Sequence, residues 1–211
     1  VIPDLELLEA WREGDKRAGQ ELFQRHAESV RRFVINKVDK TNAEAEDLIQ
    51  QVFLACVEGR DRFGGRSSFR AYLLGIARNV VRRHWEARRI RGRTTDIDEV
   101  PIAALSSSPS SIAARNQEER CLLEALRHVA LKDQTVLELS YWEELSTREI
   151  GEILGIPTET VQSRVRRARD KLAREVSRLV GILGVPESTQ DDLAAWAEGV
   201  REQLTADAAV G

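Results

Sequence analysis

The 211 residues leave room for one large domain or two small ones, and two of roughly 100 residues would each bury a modest core. Charged residues make up 32% of the chain and aromatic residues only 5%, a balance that suits charged helices and disfavours β-sandwich strands. A net charge of −3 gives no general attraction to nucleic acid, so any such role depends on charge segregated along the chain.

From the N-terminus, apolar residues recur at helical spacing, as in Leu22, Val30, Phe33, Val34 and Val38 of segment 16–38. A second helix is predicted over 43–57, with Thr41 and Asn42 offering N-cap oxygens. A third starts at Ser67 or Ser68, after the Gly64-Gly65 break, and runs to Arg89. Between Arg66 and Arg93 the basic residues are Arg66, Arg70, Arg78, Arg82, Arg83, Arg88, Arg89, Arg91 and Arg93, against the single acid Glu86. This is a local excess of positive charge, the pattern either of a phosphate-tracking surface or of a solvated helix face.

Residues 92–111 turn to Thr, Asp, Pro and a Ser-rich run without the periodicity needed to pack, and are predicted to be a linker. Helical spacing resumes at Ile112 and continues, with breaks at Leu131-Lys132-Asp133 and Glu143-Glu144, to about Val180. Beyond Gly181 and Gly184 a short amphipathic helix is predicted, capped by Ser188 and Asp191. Its stripe of Leu193, Trp196, Ala197, Val200 and Leu204 calls for a partner. The acids Glu187, Asp191, Asp192, Glu198, Glu202 and Asp207 outweigh Arg201 there, so the tail either folds back on the basic helices or caps the second domain. The fold class expected is all-α: a first domain over 1–92, a flexible linker over 93–114, a second domain over 115–180 and an acidic extension over 181–211.

The most specific local pattern is LSTREIGEILGIPTETVQSRVRRARDKL, residues 145–172. Ser146 and Glu149 have capping-box spacing and open a short helix, Gly155 and Pro157 make a tight turn, and a second helix begins at Thr158. On that helix Val161, Val165, Ala168 and Leu172 share one face. Thr158 stands at its start, and Thr160, Ser163, Arg164, Arg167 and Lys171 lie away from the apolar face. A buried stripe beside a basic polar stripe is what a recognition helix in the DNA major groove needs, although a solvated basic helix in a bundle has the same composition.

The segments AEDLIQQVFLACVEG (45–59) and FGGRSSFRAYLLGIARNVVRRHWEARR (63–89), then a linker and TVQSRVRRARDKL, closely resemble the two domains of extracytoplasmic-function (ECF) RNA polymerase sigma factors over roughly residues 4–178. That resemblance implies a protein that binds core RNA polymerase and promoter DNA without catalysis of its own, in the cytoplasm, with an anti-sigma factor as its usual restraint. It places polymerase binding on Asp47, Gln50, Gln51, Phe53 and Leu54. The residue pattern agrees in part, since Leu54 and Val57 project among polar residues opposite an inward stripe of Leu48, Val52 and Ala55.

The resemblance assigns capture of a flipped minus-ten base to Arg66, Ser67, Phe69, Tyr72 and Asn79, with Arg82 and Arg83, then Arg88 and Arg89, beside the phosphates. Aromatic and guanidinium planes next to a basic track suit single-stranded bases, at roughly 1–3 kcal/mol per stacked base. Phe69 aligns equally well with Leu73, Ile76 and Val80 on an apolar face, which leaves base stacking and core packing both open. Tyr72 stands where the family usually carries Trp. The minus-thirty-five duplex falls to Thr158, Thr160, Ser163, Arg164, Arg167 and Lys171.

Other functions have less in their favour. A conventional helix-turn-helix regulator would need a dimer or ligand domain, of which there is no sign. A metal-dependent nuclease would need clustered carboxylates, and Asp96, Asp98 and Glu99 in the linker are the only close set. His26, His84 and His128 are dispersed, and Cys56 and Cys121 lack metal-site spacing, so neither metal nor cofactor is expected. No apolar run reaches membrane-spanning length, and no small-molecule substrate is implied.

Overall fold

A computed structural model describes residues 2–38, 42–88, 96–105 and 117–183. The first unit holds α1 (Asp4–Arg12), α2 (Lys16–Ile35), α3 (Asn42–Gly59) and α4 (Phe69–Arg88). α1 and α2 form a hairpin whose turn needs Gly14 at φ 109°, and Asp15 caps α2 by accepting hydrogen bonds from the Arg17 and Ala18 amides at 2.8 and 3.3 Å. Trp11 lies so close over α2 that a Cβ on Gly19 would meet its ring at 2.7 Å. Leu8, Leu22, Phe33, Val52, Phe69, Leu73, Leu74 and Ala77 are all but inaccessible, and each large apolar side chain among them stabilises the core by about 1.5–3 kcal/mol. Trp85 Nε1 donates to the Lys37 carbonyl at 2.8 Å, fastening the end of α4 to the end of α2.

The second unit holds α6 (Gln117–His128), α7 (Leu131–Leu137), a π-turn over Glu138–Trp142, α8 (Thr147–Leu154) and α9 (Thr158–Leu183). The chain turns between α6 and α7 at Val129-Ala130, one step before the predicted break at Leu131-Lys132-Asp133, which instead forms the first turn of α7. The break at Glu143-Glu144 is present, with Glu144 at φ 48°. α9 continues through Gly181 to Leu183, because one helical glycine costs only about 1 kcal/mol. The tail helix predicted beyond Gly184 lies outside the described residues, as do Thr41 and Arg89.

Residues 96–105, in the middle of the expected linker, are packed. Asp96 caps a 3₁₀ turn over Ile97–Glu99, α5 (Ile102–Leu105) follows, and Ile97 and Ile102 are buried. Asp98 pairs with Arg78 of α4 at 2.8 Å, while the Val100 carbonyl accepts the Leu131 amide at 3.0 Å. Two isolated isoleucines give no periodicity, yet the turn carrying Ile97 packs on α4 and α7 and the helix carrying Ile102 packs on α6.

Candidate nucleic-acid and polymerase interfaces

The pattern of residues 145–172 folds as its capping chemistry requires. Ser146 Oγ accepts the Glu149 amide at 3.2 Å and the Glu149 carboxylate accepts the Ser146 amide at 3.0 Å, a complete capping box. Gly155 ends α8 in the left-handed region at φ 66°, and Gly151 lies so close beneath the turn that a Cβ there would meet the Ile156 carbonyl at 2.8 Å. On α9, Val161, Ala168 and Leu172 are buried and Val165 is half-buried, so the apolar stripe fixes the helix on its scaffold.

The opposite face carries Arg167, exposed, and Arg164, Ser163, Thr160 and Thr158, half-buried. Arg167 Nε donates to the Ser163 carbonyl at 3.2 Å, which aligns the guanidinium along the helix. Gln162, Arg166 and Arg169 are also exposed and add donors that the sequence pattern did not single out. Lys171, part-exposed, donates from Nζ to the buried Asp133 carboxylate at 2.5 Å and so joins α9 to α7. A long lysine on the polar stripe reaches back toward a buried acid at little cost.

A cavity of about 300 Å³ opens between the loop 60–68 and α4 of the first unit, with Glu152 and Ile153 of α8 completing its wall. Arg66, Ser67, Tyr72 and Asn79 line it, together with Arg62, Phe63 and Ile76. Phe69 does not reach it as a stacking surface. It is buried against Phe63 and Tyr72, with ring centroids 6.0 and 6.2 Å away, so the core alternative holds. The aromatic walls are Phe63 and Tyr72, 4.9 Å apart, and the Tyr72 hydroxyl donates to the Gly59 carbonyl at 3.0 Å. Burial pushes the Tyr72 phenol up, so it is a neutral donor at physiological pH.

A residue absent from the sequence reading sets the loop. Arg12 of α1 donates from Nη2 to the Arg60 and Phe63 carbonyls at 2.6 and 2.7 Å, and from Nε to the Arg60 carbonyl at 3.2 Å. Its partners are backbone atoms some 50 residues away, and no spacing rule marks such a contact. Below the cavity Arg83 is exposed, Arg82 pairs with Glu86 at 3.0 Å, and Arg88 is drawn to Glu44 at 2.8 Å. Of these three arginines Arg83 alone makes no ion pair among the described residues, which leaves its guanidinium the freest to meet a phosphate.

The third surface is the outer face of α3. Asp47, Gln50 and Gln51 are exposed, and Leu54 and Val57 keep 59% and 40% of their surface accessible among them. Phe53 is half-buried against Phe23, ring centroids 4.8 Å apart, at the edge of an apolar groove that also includes Trp11 and Val57. Two exposed aliphatic side chains beside such a groove are a protein-docking surface in character.

The whole is a two-unit helical protein with a helix-turn-helix in one unit and a base-sized cavity between the loop 60–68, α4 and α8, the architecture of a transcription initiation factor. Residues 22–93 match the family model for Sigma-70 region 2, and residues 119–172 match that for Sigma-70, region 4. The sigma factor CarQ of Myxococcus xanthus is 30% identical over 175 residues, covering 82% of this chain and 97% of its own. The ECF sigma-E factor of Escherichia coli K12 is 27% identical over 187 residues, covering 85% and 97%. The chain belongs to the ECF family of RNA polymerase sigma factors. In fold it is similar to CnrH in its complex with the cytosolic domain of CnrY (TM-score 0.60, 23% identity, 83% of this chain and 97% of that one). It is similar also to RpoE of Bartonella quintana in complex with the anti-sigma factor NepR (TM-score 0.55, 21% identity, 75% and 96%). No described helix is long and apolar enough to cross a membrane.

Proposed function

We propose that this sigma factor docks on core RNA polymerase through Asp47, Gln50, Gln51, Phe53 and Leu54 of α3, reads the minus-thirty-five duplex with α9, and takes one unstacked minus-ten base into the cavity between loop 60–68 and α4. Within α9 the readers are Thr158, Thr160, Ser163, Arg164 and Arg167. Around the cavity Arg66, Ser67, Tyr72 and Asn79 serve the base, and Arg82 and Arg83 the adjoining phosphates. The observation that carries this reading is the cavity itself: it is base-sized, has aromatic and amide groups on its walls, and lies at the head of a basic helix. Polymerase supplies all the bond-making chemistry, so the sigma factor needs none, and its place of action is the cytoplasm. The similar sigma factor of Bartonella quintana, solved in complex with the anti-sigma factor NepR, supports restraint by an anti-sigma factor.

Run-off transcription with reconstituted holoenzyme on a genomic promoter library tests the reading and finds the promoter. On that promoter Asn79→Ala is expected to slow open-complex formation while core binding stays at the wild-type level. Loss of core binding instead, or an unchanged rate of opening, would remove Asn79 from the minus-ten site.

A further inference from the structure

The basic face of α9 does not stop where the helix-turn-helix does. Residues three, four, seven and eleven apart in an α-helix share a face. Thr160, Ser163 and Arg167 of the reading face therefore continue along one line into Lys171, Arg174 and Arg178, opposite the buried Leu172, Val176 and Leu179. The match to Sigma-70, region 4 ends at residue 172, yet α9 runs on to Leu183. Its added turns are held firmly, since Val176, Leu179 and Val180 are buried and α9 packs along α6.

Arg174 and Arg178 are both exposed on those added turns. No acid stands on their line, and Asp170 and Glu175 lie to either side of it. Arg174 makes no ion pair among the described residues. Arg178 donates from Nε to the Glu175 carboxylate at 2.8 Å, a surface pair of the kind that a phosphate readily displaces. Lys171, between the two halves of the line, is held by Asp133.

Length then decides what the two arginines can reach. At about 1.5 Å of rise per residue, Arg174 stands about 16 Å and Arg178 about 22 Å beyond Ser163 along the helix axis. The DNA major groove is only about 12 Å wide. A helix whose first turns lie among base edges therefore carries both arginines out of the groove to the phosphate ridge that bounds it, where guanidinium groups meet anionic oxygens.

We infer that α9 is a DNA-binding helix in two parts: its first turns read minus-thirty-five base edges, and Arg174 and Arg178 grip the phosphate backbone flanking that element, whatever its sequence. The inference rests on the assignment of α9 to the minus-thirty-five duplex. The distal grip adds affinity without adding specificity. It works against the general repulsion of DNA by a chain of net charge −3.

The test uses holoenzyme reconstituted with the full chain. The probe is a fluorescent duplex that carries the minus-thirty-five element and upstream flank of the promoter found by run-off transcription, without the minus-ten element, titrated at several salt concentrations. Arg174→Ala with Arg178→Ala keeps helix propensity high. The double variant is expected to lower the salt slope of binding by about two and the affinity roughly tenfold at 0.1 M salt, on this duplex and equally on one with scrambled minus-thirty-five bases. Arg174→Lys with Arg178→Lys retains the slope, because charge is what the backbone answers. An unchanged slope in the alanine variant would overturn the grip. A loss confined to the true minus-thirty-five sequence would overturn it too, by placing the arginines among base edges. So would weaker binding to core polymerase in the absence of DNA with the slope intact, which would make the stripe a protein contact. Failure of the α9 assignment has its own signature: Arg167→Ala would leave discrimination between the two duplexes unchanged, and would withdraw the flanking position even where the slope falls.

Discussion

The duplex reader and the strand-capturing cavity are built in opposite ways. Residues 145–172 contain their own caps, turn glycine, buried stripe and polar face, so the helix-turn-helix is specified by contacts of short sequence range. The cavity is assembled from the loop after α3, α4 and α8, and its loop is held by Arg12 of α1 from 48 and 51 residues away. A local device tolerates change elsewhere in the chain, whereas a composite one fails wherever any contributing element loosens. Single substitutions should expose this difference.

The largest effect is expected at Arg12. Arg12→Met keeps the aliphatic packing but removes charge-assisted hydrogen bonds to two carbonyls, at a cost of about 3 kcal/mol. Open-complex formation should fall with it, while binding to minus-thirty-five duplex stays unchanged. Chemical denaturation and gel-shift measurements on one preparation check both halves. A parallel loss of duplex affinity would erase the contrast between the two units.

Lys171→Met comes next and sharpens the account of α9. It leaves the Asp133 carboxylate buried without its partner, so it should destabilise the protein by about 2 kcal/mol, below the full range for a buried pair because Lys171 is itself part-exposed. Arg164→Ala should do the reverse, weakening duplex affinity by about 1–3 kcal/mol if it pairs with a base edge and leaving thermal stability within about 0.5 kcal/mol. A Lys171 variant with full stability and reduced promoter specificity would return that lysine to the reading face. The smallest change is expected for Arg83→Ala, a single phosphate contact, seen as a reduction of about one in the salt slope of promoter binding.

The same contrast explains what could be read in advance. The capping box of Ser146 and Glu149, the Gly155 turn and the valine stripe of α9 were legible because each depends on neighbours within four residues or so. The exposed Leu54 and Val57 on α3 were legible for the same reason. Phe69 was left between core and base because helical phase alone cannot say which neighbours cover a face, and Phe63 and Tyr72 cover it. Lys171 and Asp133 are 38 residues apart, and Arg32 and Glu143 are 111 apart, so their pairing leaves no periodic trace. Ile97 and Ile102, set in a polar stretch, were read as linker residues. Only the adjoining units show that both are buried.

The two cysteines lead to a conclusion about oxidants. Cys56 is sealed in the core of the first unit and Cys121 in that of the second, and burial pushes the Cys56 thiol up to about 12 and Cys121 upward as well. Peroxides react with the thiolate, and burial keeps both thiols protonated at neutral pH. Neither sulfur can reach the other or a bathing oxidant without unfolding its unit. Direct oxidation of these two thiols is therefore a poor route for an oxidative signal into the folded chain.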